Sequence, residues 1–205
     1  MFFKPDAAKI LEAELAKPSY RCQFIALGTN TDPYQPTEKR LEITRSILHV
    51  LAAHDHPLSI TTKSALVTRD IDILAPMAAK GLVTVALSVT TLDGALARKL
   101  EPRASTPSKR LAAIRQLNDA GVPSGVMVAP CIPGLTDAEM ETILEAAHAA
   151  GAREAAYIAL RLPLEIKDLF EEWLRTHAPG RAKHVLNLVR EMRAVGFTKA
   201  NSARA

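Results

Sequence analysis

The chain has 205 residues, 48% of them hydrophobic, which is enough for one domain with a sizeable core and too apolar for a disordered chain. Its net charge of +4 permits an anionic ligand without demanding nucleic acid. No apolar run reaches the ~18 residues of a membrane span, and Met1-Phe2-Phe3-Lys4-Pro5 lacks the long apolar stretch of a secretion signal, so a cytoplasmic protein is expected.

A helix is expected first, at 5–17, where Pro5 suits the opening position and Ile10, Leu11 and Leu15 share a face. Apolar runs of strand type follow at 22–28, 58–62, 82–88, 122–129 and 155–160. Helical patterns lie between them. Leu41, Ile47, Leu48 and Leu51 mark one, and Leu74 and Met77 mark a shorter one ending at Gly81. Thr106-Pro107 opens another, with Leu111, Ile114 and Leu117 on one face and Gly121 as its stop. Thr136 with Glu139 reads as a capping box for a helix carrying Met140, Ile143, Leu144 and Ala147. Residues 164–194 read as two helices broken at Pro179-Gly180.

This alternation implies right-handed βαβ units and a parallel sheet. The strands read as nearly continuous apolar runs, which predicts cover on both faces. Five units fit a doubly wound sheet or part of a (β/α) barrel, and no GxGxxG follows the first strand, against dinucleotide binding. The expected organisation is one α/β domain over 1–194 and a mobile basic tail over 195–205.

In either fold, ligands bind where strands end. Thr29, Asn30, Thr31, Asp32 and Tyr34 follow the first strand, Lys63 and Ser64 the second, Ser88, Thr90, Thr91 and Asp93 the third. Pro130-Cys131-Ile132-Pro133-Gly134 follows the fourth, and Arg161 the fifth. Each has a plainer reading beside a functional one. Asp32 before Pro33 can initiate a turn. Lys63 can pair with a carboxylate or form a Schiff base, or be a surface lysine. Ser88 can bond a ribose or its own backbone, and Arg103 a ligand anion or a loop carboxylate. Cys131 reads as a small buried hydrophobe. The two cysteines, Cys22 and Cys131, are expected to be free thiols, and no Cys-rich metal motif or HExxH is present. The six histidines pair with no Cys or acid at ligand spacing and read as solvated.

The order of FFKPDAAKILEAEL, ALGTNTDPYQPTEKRLEITRSIL, ITTKSALVTRDIDIL, VALSVTTLD, LEPRASTPSKRLAAIRQLNDAG, GVMVAPCIPGLTD and YIALRLPLEIKDLFEEWL resembles radical S-adenosylmethionine (radical SAM) proteins, in the branch related to spore photoproduct lyase. The resemblance covers roughly residues 2–193 and implies a partial (β/α) TIM-type barrel, with about five of six parallel strands present here. It also implies S-adenosylmethionine and a 4Fe-4S cluster as cofactors, an electron donor, and a 5′-deoxyadenosyl radical that takes hydrogen from substrate. Carried over by position, Gly28 to Asp32, with Asn30, Thr31 and Asp32 polar, would meet the cofactor's methionine end. Lys63 would meet its carboxylate, Ser88 its ribose, and Val128, Ala129 and Pro130 its adenine.

Two departures accompany the resemblance. The CxxxCxxC loop that supplies the cluster's thiolates is absent, and Cys22 and Cys131 cannot replace it, so no metal site is expected in this chain. The expected reason is a chain that starts inside the parent domain, downstream of the first family strand, the alternative being a natural cluster-free remnant. Strand 22–28 would then be an unpaired edge, partly covered by helix 5–17, in a less stable and association-prone chain. The hydrogen-donating cysteine of spore photoproduct lyase is also missing from GTNTDPY. Catalytic residues stay unassigned, Cys131 being the one thiol at a strand end. Two other functions fit the residues: a barrel enzyme using Lys63 as a Schiff base, or a scaffold binding nucleic acid or protein through the basic 181–204 segment.

Overall fold

The computed structural model describes residues 4–194 and 201–204. β1 (Ile25–Leu27), β2 (Leu58–Thr62), β3 (Val83–Ser88), β4 (Ser124–Cys131) and β5 (Glu154–Ala159) lie parallel, in chain order across one sheet. A doubly wound sheet reverses its strand order partway; this one does not, so the five strands form the partial barrel wall expected from the sequence. Of the segment 195–205, residues Asn201–Arg204 form β6, antiparallel to β5, and the remainder lies outside the described residues.

Parallel neighbours need long crossovers, and helices supply them. α1 (Ala7–Leu15) precedes β1; α2 (Glu38–Leu41) and α3 (Ile43–Ala53) lead to β2. A 3-10 helix, Ala65–Asp70, and α4 (Ile71–Ala79) lead to β3; α5 (Gly94–Leu100) and α6 (Pro107–Asp119) lead to β4. α7 (Met140–Ala149) leads to β5, and α8 (Leu164–His177) and α9 (Ala182–Ala194) follow. β1 is one edge of the sheet and β6 the other. α1 packs on α3, with Leu11 and Leu15 against the core.

Among the described residues, the strands are covered on one face, not both. Along β2, Leu58, Ile60 and Thr62 are buried while Ser59 and Thr61 are half-buried. Leu58, Ile60, Val83, Val85, Leu87, Val126 and Val128 form one core with Leu48 and Leu51 of α3, Leu74 of α4, Ile114 and Leu117 of α6, and Ile143 of α7. The opposite face carries Ser59, Thr61, Thr84, Ala86, Gly125 and Met127, which line a cavity of about 360 Å³. Short side chains there spoil the period-2 polar signal, so the strands resemble fully buried ones in the sequence.

A second core sits over the carboxyl ends of β3 to β5. Ile132 and Leu135 after β4, and Leu162 after β5, pack with Leu174 of α8 and Val185, Leu186 and Val189 of α9. Trp173 of α8 donates its indole N–H to the Lys99 carbonyl at 3.1 Å, fastening this helical pair to the end of α5.

Thr136 and Glu139 form no capping box, because each side chain is engaged elsewhere. Thr136 Oγ1 accepts from the Ile132 amide at 3.0 Å. Glu139 reaches across to the loop after β3, accepting from Thr91 Oγ1 at 2.6 Å and the Leu92 amide at 2.7 Å. Glu139→Ala is therefore expected to cost about 2 kcal/mol, readable in a denaturant midpoint, since it leaves two inward donors unpaired.

Candidate functional site

The segment after β1 is stitched down. Gly28 has φ +97, and a Cβ there would lie 1.9 Å from the Thr61 carbonyl oxygen; only glycine lets the chain turn against β2 so closely. Asp32 Oδ1 accepts from the Tyr34 amide at 2.8 Å and from Thr62 Oγ1 at 2.7 Å, and Oδ2 accepts from the Lys63 amide at 2.8 Å. Asp32 is thus both the turn former before Pro33 and the bolt between the β1 and β2 strand ends. Asn30 and Thr31 stand exposed on the plate it fixes.

Beneath the plate lies a polar network that local sequence does not announce. The buried Tyr34 hydroxyl donates to Asp70 Oδ2 at 3.0 Å. Asp70 is 0% exposed and also accepts from Arg69 and Arg45. Burial alone would push the Asp70 pKa up, but hydrogen bonds from Arg69 and then Arg45 outweigh it and hold the carboxylate below its ordinary range. Burial first, and the Asp70 charge second, push the Tyr34 phenol well above its ordinary range. Arg69 reaches on to Glu38, whose Oε1 also accepts the Thr44 amide. Tyr34→Phe is expected to cost about 1 kcal/mol, because Arg69 still bonds the same Asp70 oxygen.

The LEPRAST stretch is a strap across the ends of β2 and β3. The Ser105 amide donates to the Lys63 carbonyl at 3.2 Å, and the Ala65 amide to Ser105 Oγ at 2.8 Å. Arg110 of α6, 1% exposed, donates to the Ser105 and Ser88 carbonyls, each at 2.7 Å, and to Glu101 Oε2 at 2.5 Å. The other Glu101 oxygen holds the Lys63 ammonium. A Schiff-base lysine must present a neutral amine; Lys63 instead sits in an ion pair.

Between plate and strap lies a cleft of about 390 Å³, lined by Thr31, Asp32, Tyr34, Lys63, Glu101 and Arg103 among others. This volume lies in the range of small-ligand sites, roughly 300–1,000 Å³. Thr31, Asp32 and Lys63, named from sequence, meet there. Gly28, against the Thr61 carbonyl, and Asn30, exposed nearby in sequence, lie outside the lining. Ser88 is buried, tied to the strap through its carbonyl, and Ala129 is half-buried in β4. Neither lines this cleft. Two residues past Ser88, the Thr90 hydroxyl is buried with no hydrogen-bond partner among the described residues, an orphaned donor that a ligand group or a water would satisfy.

Cys131 lies in the core, its thiol pKa raised by burial and then by the Asp137 charge, and Cys22 is exposed. These two thiols do not fit a 4Fe-4S cluster, which is held by Cys thiolates in sets of four or, with an open iron, three. Among the described residues no group of three or more His, Cys, Asp or Glu is placed to hold a metal. Five of the histidines are exposed, as read. His56 is the exception: it is buried, with Nδ1 3.1 Å from the Pro57 carbonyl and Nε2 2.6 Å from the Tyr20 hydroxyl. The carbonyl can only accept, which puts a proton on Nδ1. Among the described residues no helix is long and apolar enough to cross a membrane.

An uncharacterized protein of Mycobacterium tuberculosis is 39% identical over 189 residues, covering 91% of this chain and 56% of the relative. One of Methanocaldococcus jannaschii is 33% identical over 115 residues, covering 56% of this chain and 43% of the relative. The chain thus spans about half the length of the curated relatives it matches. Among solved structures, Streptococcus suis SuiB bound to S-adenosylmethionine superposes with a TM-score of 0.57 at 14% identity, over 86% of this chain and 41% of SuiB. Native anSMEcpe with bound AdoMet gives 0.53 at 13% identity, over 91% of this chain and 53% of that one. These two likenesses speak for the fold. The family model of the Radical SAM superfamily matches residues 4–147, the greater part of the sheet and its helices, and the chain belongs to that superfamily.

Proposed function

We propose that this chain forms the S-adenosylmethionine-holding wall of a radical SAM barrel, in the branch related to spore photoproduct lyase, and does not itself carry the 4Fe-4S site. The observation that carries the reading is the rim cleft, where Lys63 faces a plate rigidified by Gly28 and Asp32. S-adenosylmethionine held here would supply radical chemistry toward a substrate. The chain's residues bind and orient. Lys63 offers an ammonium to the cofactor carboxylate, and Asn30 and Thr31 offer polar contacts to its methionine end. Asp32 holds those two in place by bonding Thr62 and the Lys63 amide. Ser88 and Ala129, on the neighbouring strand ends, take the ribose and adenine. The cluster and the electron donor lie with a part of the site that these residues do not supply, and Cys131, buried and with its pKa raised, has no assigned step.

Anaerobic treatment with iron and sulfide tests the division of labour. The chain alone is expected to hold no stable cluster; an absorption band near 400 nm with about four irons per chain would contradict the proposal.

A second reading rests on the groove of about 330 Å³ between α8 and α9, lined by Arg175, Lys183 and Arg190 among others. It favours a nucleic acid as partner. Binding of a single-stranded oligonucleotide that falls steeply with salt is expected, and salt-independent binding would count against it.

A further inference from the structure

Glu101 divides its carboxylate between two cations. One oxygen holds Lys63, and the other accepts from Arg110 at 2.5 Å. The two partners differ in freedom. Arg110 is 1% exposed, and it also donates to the Ser88 and Ser105 carbonyls. Glu101 is the one carboxylate that Arg110 pairs with among the described residues, and a buried guanidinium does not give up such a partner without a large penalty. The Lys63 side chain is 31% exposed and lies on a flexible stem that can re-aim its ammonium. Lys63 and Glu101 line the same cleft, while the Asp32 carboxylate there is committed to hydroxyl and amide donors.

We propose that Glu101 parks Lys63, and that an incoming ligand carboxylate takes the lysine over while Glu101 stays on Arg110. Every charge remains paired before and after: Glu101 with Arg110 throughout, and Lys63 first with Glu101 and then with the ligand. Lys63 thereby favours ligands that bring their own carboxylate, and Glu101 tempers that preference, since such a ligand must displace Glu101 from the lysine while a ligand without a carboxylate leaves Lys63 where it is. Glu101 is accordingly a positioning residue that tunes selectivity through Lys63. The identity of the ligand rests on the S-adenosylmethionine reading above; the parking of Lys63 does not.

Two measurements on the full chain test this, comparing wild type with Glu101→Gln, which keeps an acceptor for Arg110 but removes the charge. The first is the acylation rate of Lys63 by an amine-reactive ester, read by peptide mass spectrometry against the exposed Lys109. Release from the ion pair is expected to speed Lys63 about fivefold relative to Lys109. The second is the affinity for S-adenosylmethionine against 5′-methylthioadenosine, which lacks the carboxylate. The variant is expected to bind the first about fivefold more tightly and the second unchanged. An unchanged Lys63 rate, or equal shifts for both ligands, overturns the proposal. If wild type binds neither ligand, the S-adenosylmethionine reading fails and the acylation rate alone decides the parking. Should the glutamine variant not fold, Glu101→Asp, one methylene shorter and held by Arg110, is expected to release Lys63 and carries the same measurements.

Discussion

Asp70→Asn is expected to lower the unfolding free energy by about 3–5 kcal/mol, because it breaks a buried pair while leaving the partner charges behind. Asp70 is fully buried and takes hydrogen bonds from Arg69, Arg45 and Tyr34. Asparagine keeps the shape but offers one acceptor and an –NH₂ that faces guanidinium donors. Arg45 retains Asp72 outside the core, and Arg69 retains Glu38, so the loss stays below that of an isolated buried cation. The same carboxylate sets a pH dependence. Its folded-state pKa lies below the ordinary 3.8, so its contribution is fully present above that value. It is lost as pH falls through the folded-state pKa, when the carboxylate takes a proton. Urea midpoints measured from neutral pH down to about 2 are expected to fall more steeply below pH ~4 in wild type than in the variant. Parallel curves would mean that Asp70 carries no such linkage.

Gly28→Ala is expected to destabilise by at least about 3 kcal/mol, combining a left-handed backbone with a direct backbone collision. The added Cβ would stand 1.9 Å from the Thr61 carbonyl oxygen and 3.2 Å from Pro33 Cδ. Neither neighbour is a flexible side chain, so the loop must lift off β2. Lifting it pulls Asp32 away from Thr62 and the Lys63 amide, and the cleft loses its plate. A shifted denaturant midpoint at unchanged slope, with loss of ligand binding, is the expected signature. A variant as stable as wild type would show that the segment tolerates a different path.

Much of this fold was legible because helix stops and apolar periods are local signals. Leu58–Thr62 was read to the residue, and α6 begins at Pro107 and leaves through Gly121, whose φ is +76. β1 proved shorter than 22–28 and β4 ran on to Cys131, since strand ends depend on what the neighbouring strand offers. The one-sided cover was hidden because the open face of the sheet carries Ala and Gly as well as Ser and Thr. In the site, Lys63 and the GTNTDPYQP plate were visible as strand-end residues. Their partners were not: Glu101 lies 38 positions from Lys63, and Asp70 36 from Tyr34. Such pairings are fixed by tertiary packing and leave no local period. Glu139 misled for the same reason, since a capping-box spacing was satisfied instead by a bond to the loop after β3. Among the histidines, only the fold sets His56 against Tyr20.

Equilibrium binding of S-adenosylmethionine to the full chain, compared between wild type and Lys63→Met, tests the central claim most directly. Saturable binding is expected in wild type, weakened about tenfold or more in the variant at unchanged thermal stability, as befits loss of a charge-assisted contact to the ligand carboxylate. Absence of saturable binding, or equal affinity in the two proteins, would contradict it.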